Sequence, residues 1–344
     1  MNFKRILVIR LKHIGDVLLT TPVFTALKEA WPDSRVCAVV RQGTEAMLSD
    51  NPSIDELLMV NSKPWRWWEP LSLALGLRQR HFDLVLELSG GDRGAIYTWL
   101  SGASRRAGFD HPRRSGWQRR YAFNLLLPRP PVHWHTVEQN LAAVQALGWQ
   151  PRDTDLKFYW NGLVEQRIQE LLGEYQLKER NFTLVHPAAR WLFKSWTAPG
   201  YAQVIEVIHN DYHLPVVLTA APDARELDLV ADIRRQASVP TVNLAGRLSL
   251  KELGALIAHA RLFLGVDSAP MHLAAAVGTP TVALFGPTGD YNWRPWGEGH
   301  VVIKKGWECQ PCGQDGCQGS KISRCLTELT PDEVLTGVEQ LLRP

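Results

Sequence analysis

The densest set of residues able to do chemistry in this 344-residue chain lies between Arg261 and Pro287, RLFLGVDSAPMHLAAAVGTPTVALFGP. Leu262–Val266 is a short apolar run. Asp267 and Ser268 follow it as an N-cap signal, and Pro270 sits just inside the helix start, where its missing N–H costs nothing. Gly278 and Pro280 end the helix, and Thr281–Phe285 is a second apolar run. Apolar runs on either side of a short helix read as strand, helix, strand in a parallel sheet covered on both faces. A helix that opens off the carboxyl end of such a strand aims unpaired N–H groups above the sheet, which is the chemistry of an anion site. His272 lies one turn in from Ser268 and shares its helix face. An ordinary βαβ unit with a satisfied histidine accounts for the same pattern, so this stretch alone leaves both readings open.

A second candidate stands near the start. Arg5–Arg10 (RILVIR) reads as a buried strand, and Val17–Ala30 reads as one amphipathic helix. Gly15 is expected to permit a tight strand-to-helix turn. Asp16 then falls at the carboxyl end of the first strand, where open α/β sheets keep their ligand crevice. A helix N-cap is the plainer role for an acid there, and position does not separate the two.

Strand and helix patterns alternate through both halves. Phe82–Leu88 reads as a buried strand running into Ser89-Gly90-Gly91-Asp92, and Gly148–Tyr159 reads as a bridge. The second half repeats the grammar, with Phe182–Val185, Pro215–Leu218 and Thr241–Leu244 as strands. Two successive βαβ sets predict an α/β protein of two doubly wound domains, 1–160 and 161–344, with a cleft between their carboxyl edges. Walker A and G-x-G-x-x-G signatures after a strand are absent from the sequence.

Composition bounds the partners. A formal charge of +3 gives no reason to expect nucleic acid. No apolar run reaches the roughly 18 residues of a membrane span, and MNFKRILVIRLK lacks the pattern of a signal peptide, so a cytoplasmic protein is expected. From Arg105 to Arg120 the sequence RRAGFDHPRRSGWQRR carries six arginines and one acid. Guanidinium forks match phosphate oxygens, so this segment is expected to meet a phosphorylated ligand or an anionic lipid surface. Trp65, Trp67 and Trp68 beside Arg66 suit either core packing or contact with the inner face of a membrane. His135 is expected to point into the crevice. Cys309, Cys312, Cys317 and Cys325 are spaced C-x₂-C-x₄-C-x₇-C; free or paired thiols are favoured there over a structural zinc.

Ile14-Gly15-Asp16-Val17-Leu18, Lys194 with Trp196, and GVDSAPMHLAAAVGTPTVALFGPT occur in an order that resembles the lipopolysaccharide core heptosyltransferases, glycosyltransferase family 9. The tail CQPCGQDGCQGSKISRCL is most similar to members that add the third, branching heptose. The resemblance covers essentially the whole chain. It implies a GT-B fold, an ADP-heptose donor on the C-terminal domain, and a phosphorylated, heptosylated lipid A core as acceptor on the N-terminal domain. It also implies single-step inversion with no cofactor or catalytic metal. A family enzyme for another sugar or for the second heptose, or a nucleotide-sugar epimerase of similar form, are the alternatives.

The resemblance further implies roles. Asp16 matches the base that deprotonates the acceptor hydroxyl. Lys194, Ser268, Ala269 and His272 match positions around the diphosphate, Asp267 the acid that meets the sugar, and Glu226 a nucleoside contact. Arg113, Arg114, Arg119 and Arg120 are the expected acceptor-phosphate residues. Two departures stand out. Ala269 replaces a frequent Gly, and Ala220-Ala221-Pro222-Asp223 replaces a glycine-rich loop before Glu226.

Overall fold

The computed structural model describes residues 2–61, 69–110 and 121–343. The chain forms two compact units, Met1–Tyr159 and Trp160–Pro344. Among the described residues no helix is long and apolar enough to cross a membrane. The Trp65–Trp68 cluster and Arg113, Arg114, Arg119 and Arg120 lie outside the described residues.

The first unit holds β1 (Arg5–Arg10), α1 (Ile14–Leu18), α2 (Thr21–Ala30), β2 (Arg35–Arg41), β3 (Glu56–Val60) and α3 (Glu69–Gln79). It continues with β4 (Leu84–Glu87), α4 (Asp92–Leu100), β5 (Arg105–Phe109), β6 (Leu125–Leu127) and α5 (Thr136–Gln145). Its six strands are parallel in the order β3-β2-β1-β4-β5-β6. Ile6 to Ile9 and Leu84 to Leu86 are fully buried, as central strands covered on both faces require.

The second unit repeats the plan. It opens with α6 (Gly162–Glu174), β7 (Thr183–His186), α7 (Ala198–Asn210), β8 (Val216–Leu218), α8 (Ala224–Gln236), β9 (Thr241–Asn243) and α9 (Leu250–His259). Then come β10 (Leu262–Val266), α10 (Ala269–Ala276), β11 (Thr281–Leu284), α11 (Asp290–Trp293), β12 (His300–Ile303), α12 (Arg324–Thr327) and α13 (Pro331–Leu342). The strand order is β12-β11-β10-β7-β8-β9. Each sheet therefore starts at its centre and winds outward in both directions. The order reverses between β1 and β4 in one and between β7 and β10 in the other, and the loops leaving those strands frame a ligand crevice.

Several local expectations are corrected. Val17–Ala30 is two helices. Pro22 has no N–H to give Leu18, and the Thr21 hydroxyl donates to the Leu18 carbonyl instead, at 2.8 Å. Gly15 is helical within α1, and the turn is made by the preceding residues, with His13 extended at the N-cap. The start of the basic segment is the strand β5. The Arg106 guanidinium donates to the carbonyls of Ala103 and Ala122, both at 2.9 Å, and a side chain at Gly108 would overlap the Phe123 ring. Leu125–Leu127 extends the sheet as β6, ahead of Pro128, Pro130 and Pro131. His135 faces no crevice: it is buried as the N-cap of α5, its Nδ1 accepting from the Val137 N–H at 3.2 Å.

Candidate active site

The second sheet's reversal point gathers most of the predicted donor residues. From β7 the chain passes His186-Pro187 to a short 3₁₀ turn, Leu192–Lys194. Trp196 anchors this loop. It is buried, its Nε1 donates to the Leu329 carbonyl at 2.9 Å, and its ring meets Tyr201 edge-on at 5.0 Å. The Ala189 N–H donates to the Ser195 hydroxyl at 3.3 Å and closes the loop's other side. Lys194 is thereby held over the sheet, and its Nζ lies 2.7 Å from Asp267 Oδ2. Asp267 is 8% exposed and ends β10, so the pair joins the two strands that flank the reversal.

α10 starts at the next residue. Ser268 is its N-cap in an extended conformation, yet its hydroxyl makes no capping bond. Pro270, the second helical residue, has no N–H to offer a cap, and the hydroxyl is not turned to the third, unlike Thr197, which accepts from the third N–H of α7 across Pro199 at 3.2 Å. The Ser268 Oγ is buried with no hydrogen-bond partner among the described residues. The first-turn N–H groups of Ala269 and Met271 have no acceptor inside the helix. This end of α10 therefore offers a hydroxyl, backbone donors and the positive end of a helix dipole beside a lysine. His272 is buried in the first turn, its ring centroid 6.4 Å from that of Trp293.

Glu226 lies in the first turn of α8, just beyond the loop after β8. Its carboxylate turns back and accepts from the Ala221 N–H at 2.9 Å, and burial raises its pKa. The departure from a glycine-rich loop is thus accommodated by Glu226 itself, while Asp223 caps α8 by accepting from the Arg225 N–H. Sequence reasoning passed over His186. It is buried at the end of β7 with Nδ1 3.0 Å from the Thr219 hydroxyl, and burial pushes its pKa down to about 4. The Thr219 hydroxyl also reaches the Val185 carbonyl at 3.4 Å.

In the first unit Asp16 lies at the reversal point between β1 and β4. Its Oδ2 accepts from the His13 N–H at 3.3 Å, and its Oδ1 pairs with Arg10 Nη2 at 3.2 Å. Asp16 is not the N-cap expected: His13 is, and Asp16, the third helical residue, closes the capping box by accepting from the His13 N–H. Arg10 and its neighbour Glu87 were not singled out in the sequence; a charged residue closing a buried strand was the signal for each.

The four clustered cysteines are free thiols. Cys309 and Cys312 are exposed, Cys317 is half-buried and Cys325 is buried. Burial first, then the neighbouring Cys317, Cys312 and Cys309, pushes the Cys325 thiol up to about 11. A zinc site needs deprotonated thiolates converging on one point. Among the described residues no three His, Cys, Asp or Glu side chains are so disposed.

Two doubly wound parallel sheets in one chain form the GT-B fold. Residues 71–323 match the model of glycosyltransferase family 9 (heptosyltransferase), a span that contains every donor candidate and begins after Asp16. Lipopolysaccharide heptosyltransferase 3 of Escherichia coli K12 is 33% identical over 341 residues, covering 96% of each chain. The glycosyl transferase family 9 structure from Veillonella parvula superposes with a TM-score of 0.84 at 23% identity, covering 99% of this chain and 97% of that one. The structure of E. coli ADP-heptose lps heptosyltransferase II superposes with a TM-score of 0.77 at 22% identity, covering 98% of both. The chain belongs to glycosyltransferase family 9.

Proposed function

We propose that the enzyme moves heptose from ADP-L-glycero-β-D-manno-heptose to the inner core of lipopolysaccharide, adding the third, branching heptose to the second. The observation that carries this reading is the near full-length similarity to lipopolysaccharide heptosyltransferase 3. The donor chemistry of the second unit supports it.

In this reading the acceptor hydroxyl oxygen bonds to the anomeric carbon as the bond from that carbon to the diphosphate breaks. Asp16 takes the hydroxyl proton and ADP leaves with the bonding pair, inverting the configuration. A sugar hydroxyl is a weak acid, so proton transfer accompanies bond breaking. The charge growing on ADP is met by Lys194, the Ser268 hydroxyl and the first N–H groups of α10. These donors give the leaving group compensation without assigning a role to a metal. Asp267 faces heptose hydroxyls, His272 lies near the phosphates, and Glu226 accepts from the ribose. Arg113, Arg114, Arg119 and Arg120 meet acceptor phosphates. The lipid-anchored acceptor places the enzyme in the cytoplasm with peripheral contact at the inner face of the inner membrane, where Trp65–Trp68 dock.

Transfer from labelled ADP-heptose to a set of truncated lipid A cores tests the reading, with product mass, linkage and anomeric configuration as readouts. Transfer to the core bearing two heptoses, with inversion, is expected. Transfer only to a core bearing one heptose assigns the second heptose instead, and turnover of the sugar nucleotide without acceptor points to an epimerase.

A further inference from the structure

Arg10 is a charged residue where a buried strand would ordinarily stay apolar. Its side chain is 7% exposed at the end of β1. Removing a guanidinium from water is costly unless its donors are satisfied. Here they are, in three directions. Nη1 donates to the Leu88 carbonyl in a short contact, Nη2 pairs with Asp16 Oδ1 at 3.2 Å, and Nε donates to the Asp16 backbone carbonyl at 3.3 Å. Burial lowers the pKa of Arg10, while the charges of Asp16 and Glu87 raise it.

The far end of this link is fixed. Glu87, 1% exposed, ends β4 and accepts from the N–H groups of Ser89 at 2.8 Å and Gly90 at 3.1 Å. The Ser89 hydroxyl accepts from the Leu11 N–H at 2.7 Å, and the Leu88 N–H donates to the Ile9 carbonyl at 3.0 Å. A side chain at Gly94 would overlap the Glu87 carboxylate, so α4 packs against the same group. The seam between β1 and β4 is thus rigid where Arg10 grips it.

Asp16 receives the other end. With Arg10 on one carboxylate oxygen and the His13 N–H on the other, the plane of the carboxylate is set. Each oxygen keeps a second lone pair for an incoming hydroxyl. The Asp16 carbonyl is held twice, by Arg10 Nε and by the Thr20 hydroxyl at 2.8 Å. Anchoring the strand seam alone would need only the bond to Leu88.

We propose that Arg10 is a positioning residue for the transfer reaction, orienting the Asp16 carboxylate from the β1–β4 seam. This rests on the reading of Asp16 as the base. A base displaced by about 1 Å loses on the order of a hundredfold in rate, whereas donor contacts made by the second unit's own residues are unaffected.

The test is steady-state kinetics of heptose transfer by full-length R10K, R10Q and D16N. Lysine keeps the charge but lacks the fork that reaches Asp16 and Leu88 together. R10K is expected to lower kcat about tenfold and R10Q about a hundredfold, each with the KM for ADP-heptose within about twofold of the parent. If R10Q does not fold, R10K carries the same decision. A kcat for R10K within threefold of the parent overturns the proposal, as does a fall in kcat matched by a rise in donor KM. D16N separates the two readings. Full activity in D16N removes Asp16 as the base, whereas an inactive D16N with an unimpaired R10K removes only the role of Arg10.

Discussion

Lys194 Nζ lies 2.7 Å from Asp267 Oδ2 across the two strands at which the second sheet reverses its order. The lysine that would compensate a departing diphosphate is paired with the acid that follows the neighbouring strand. A phosphate that reaches Lys194 must share it with Asp267 or displace it. Like charges at such a distance disfavour one another.

K194M should lower kcat by roughly a hundred- to a thousandfold, the usual loss for one charge-stabilising donor. D267N should behave differently. It releases the ammonium, so ADP should bind several-fold more tightly while sugar transfer slows. Titration calorimetry with ADP and initial rates on the same preparations read the two effects. Weaker ADP binding by D267N would mean that the carboxylate orders Lys194 for the phosphate and does not compete with it.

The loop carrying Lys194 should prove sensitive to changes remote from any ligand. Gly200 packs against the Trp196 ring so closely that an added methyl would overlap it. G200A should destabilise the second unit by about 1–3 kcal/mol through overpacking. W196F keeps an aromatic ring but orphans the Leu329 carbonyl, which should cost about 1–3 kcal/mol. Urea unfolding measures both. The KM for donor should rise in each, because Lys194 loses its anchor.

Much of this was legible in the chain itself. Central strands covered on both faces announce themselves as unbroken apolar runs, which is why β1, β7, β10 and β11 were clear. Asp267, Ser268 and Pro270 marked the start of α10 for the same reason that they build it. The pairing of Lys194 with Asp267 was not readable. The two are 73 positions apart, and no local period links loops brought together by sheet order. Arg10 was hidden because strand patterning ranks residues by polarity, and a terminal arginine reads as solvated. The break at Thr20 was missed because Pro22 fits equally well in the first turn of a new helix and in a kink. The partner that decides, the Thr21 hydroxyl, leaves no periodic trace.

His186 should shape the acid limb of stability. Its pKa is held at about 4 in the folded chain by burial, against 6.5 when exposed. As pH falls below 6.5 the unfolded chain takes up a proton that the folded chain refuses. The contribution is therefore fully present above pH 6.5 and is lost as pH falls towards 4. The loss is of order 3 kcal/mol for a shift of this size. H186Q cannot titrate, so its stability relative to the parent should improve by that amount between pH 7 and pH 4. Urea unfolding across that range checks it. Parallel pH profiles for the two proteins would assign the titration elsewhere.

Ser268 offers a sharper separation of stability from binding. Replacing a serine N-cap with alanine ordinarily costs about 1 kcal/mol, because a helical N–H loses its acceptor. The Ser268 hydroxyl caps nothing and is buried with no partner among the described residues. S268A should therefore leave the unfolding free energy within about 0.5 kcal/mol of the parent. If the hydroxyl donates to a phosphate oxygen, its loss should cost about 1.5–3 kcal/mol of ADP binding, a factor of roughly ten to a hundred in Kd. Calorimetric titration with ADP, paired with thermal unfolding of the free protein, tests both halves. A variant that is destabilised and binds ADP normally would make Ser268 a cap after all and move the diphosphate away from the start of α10.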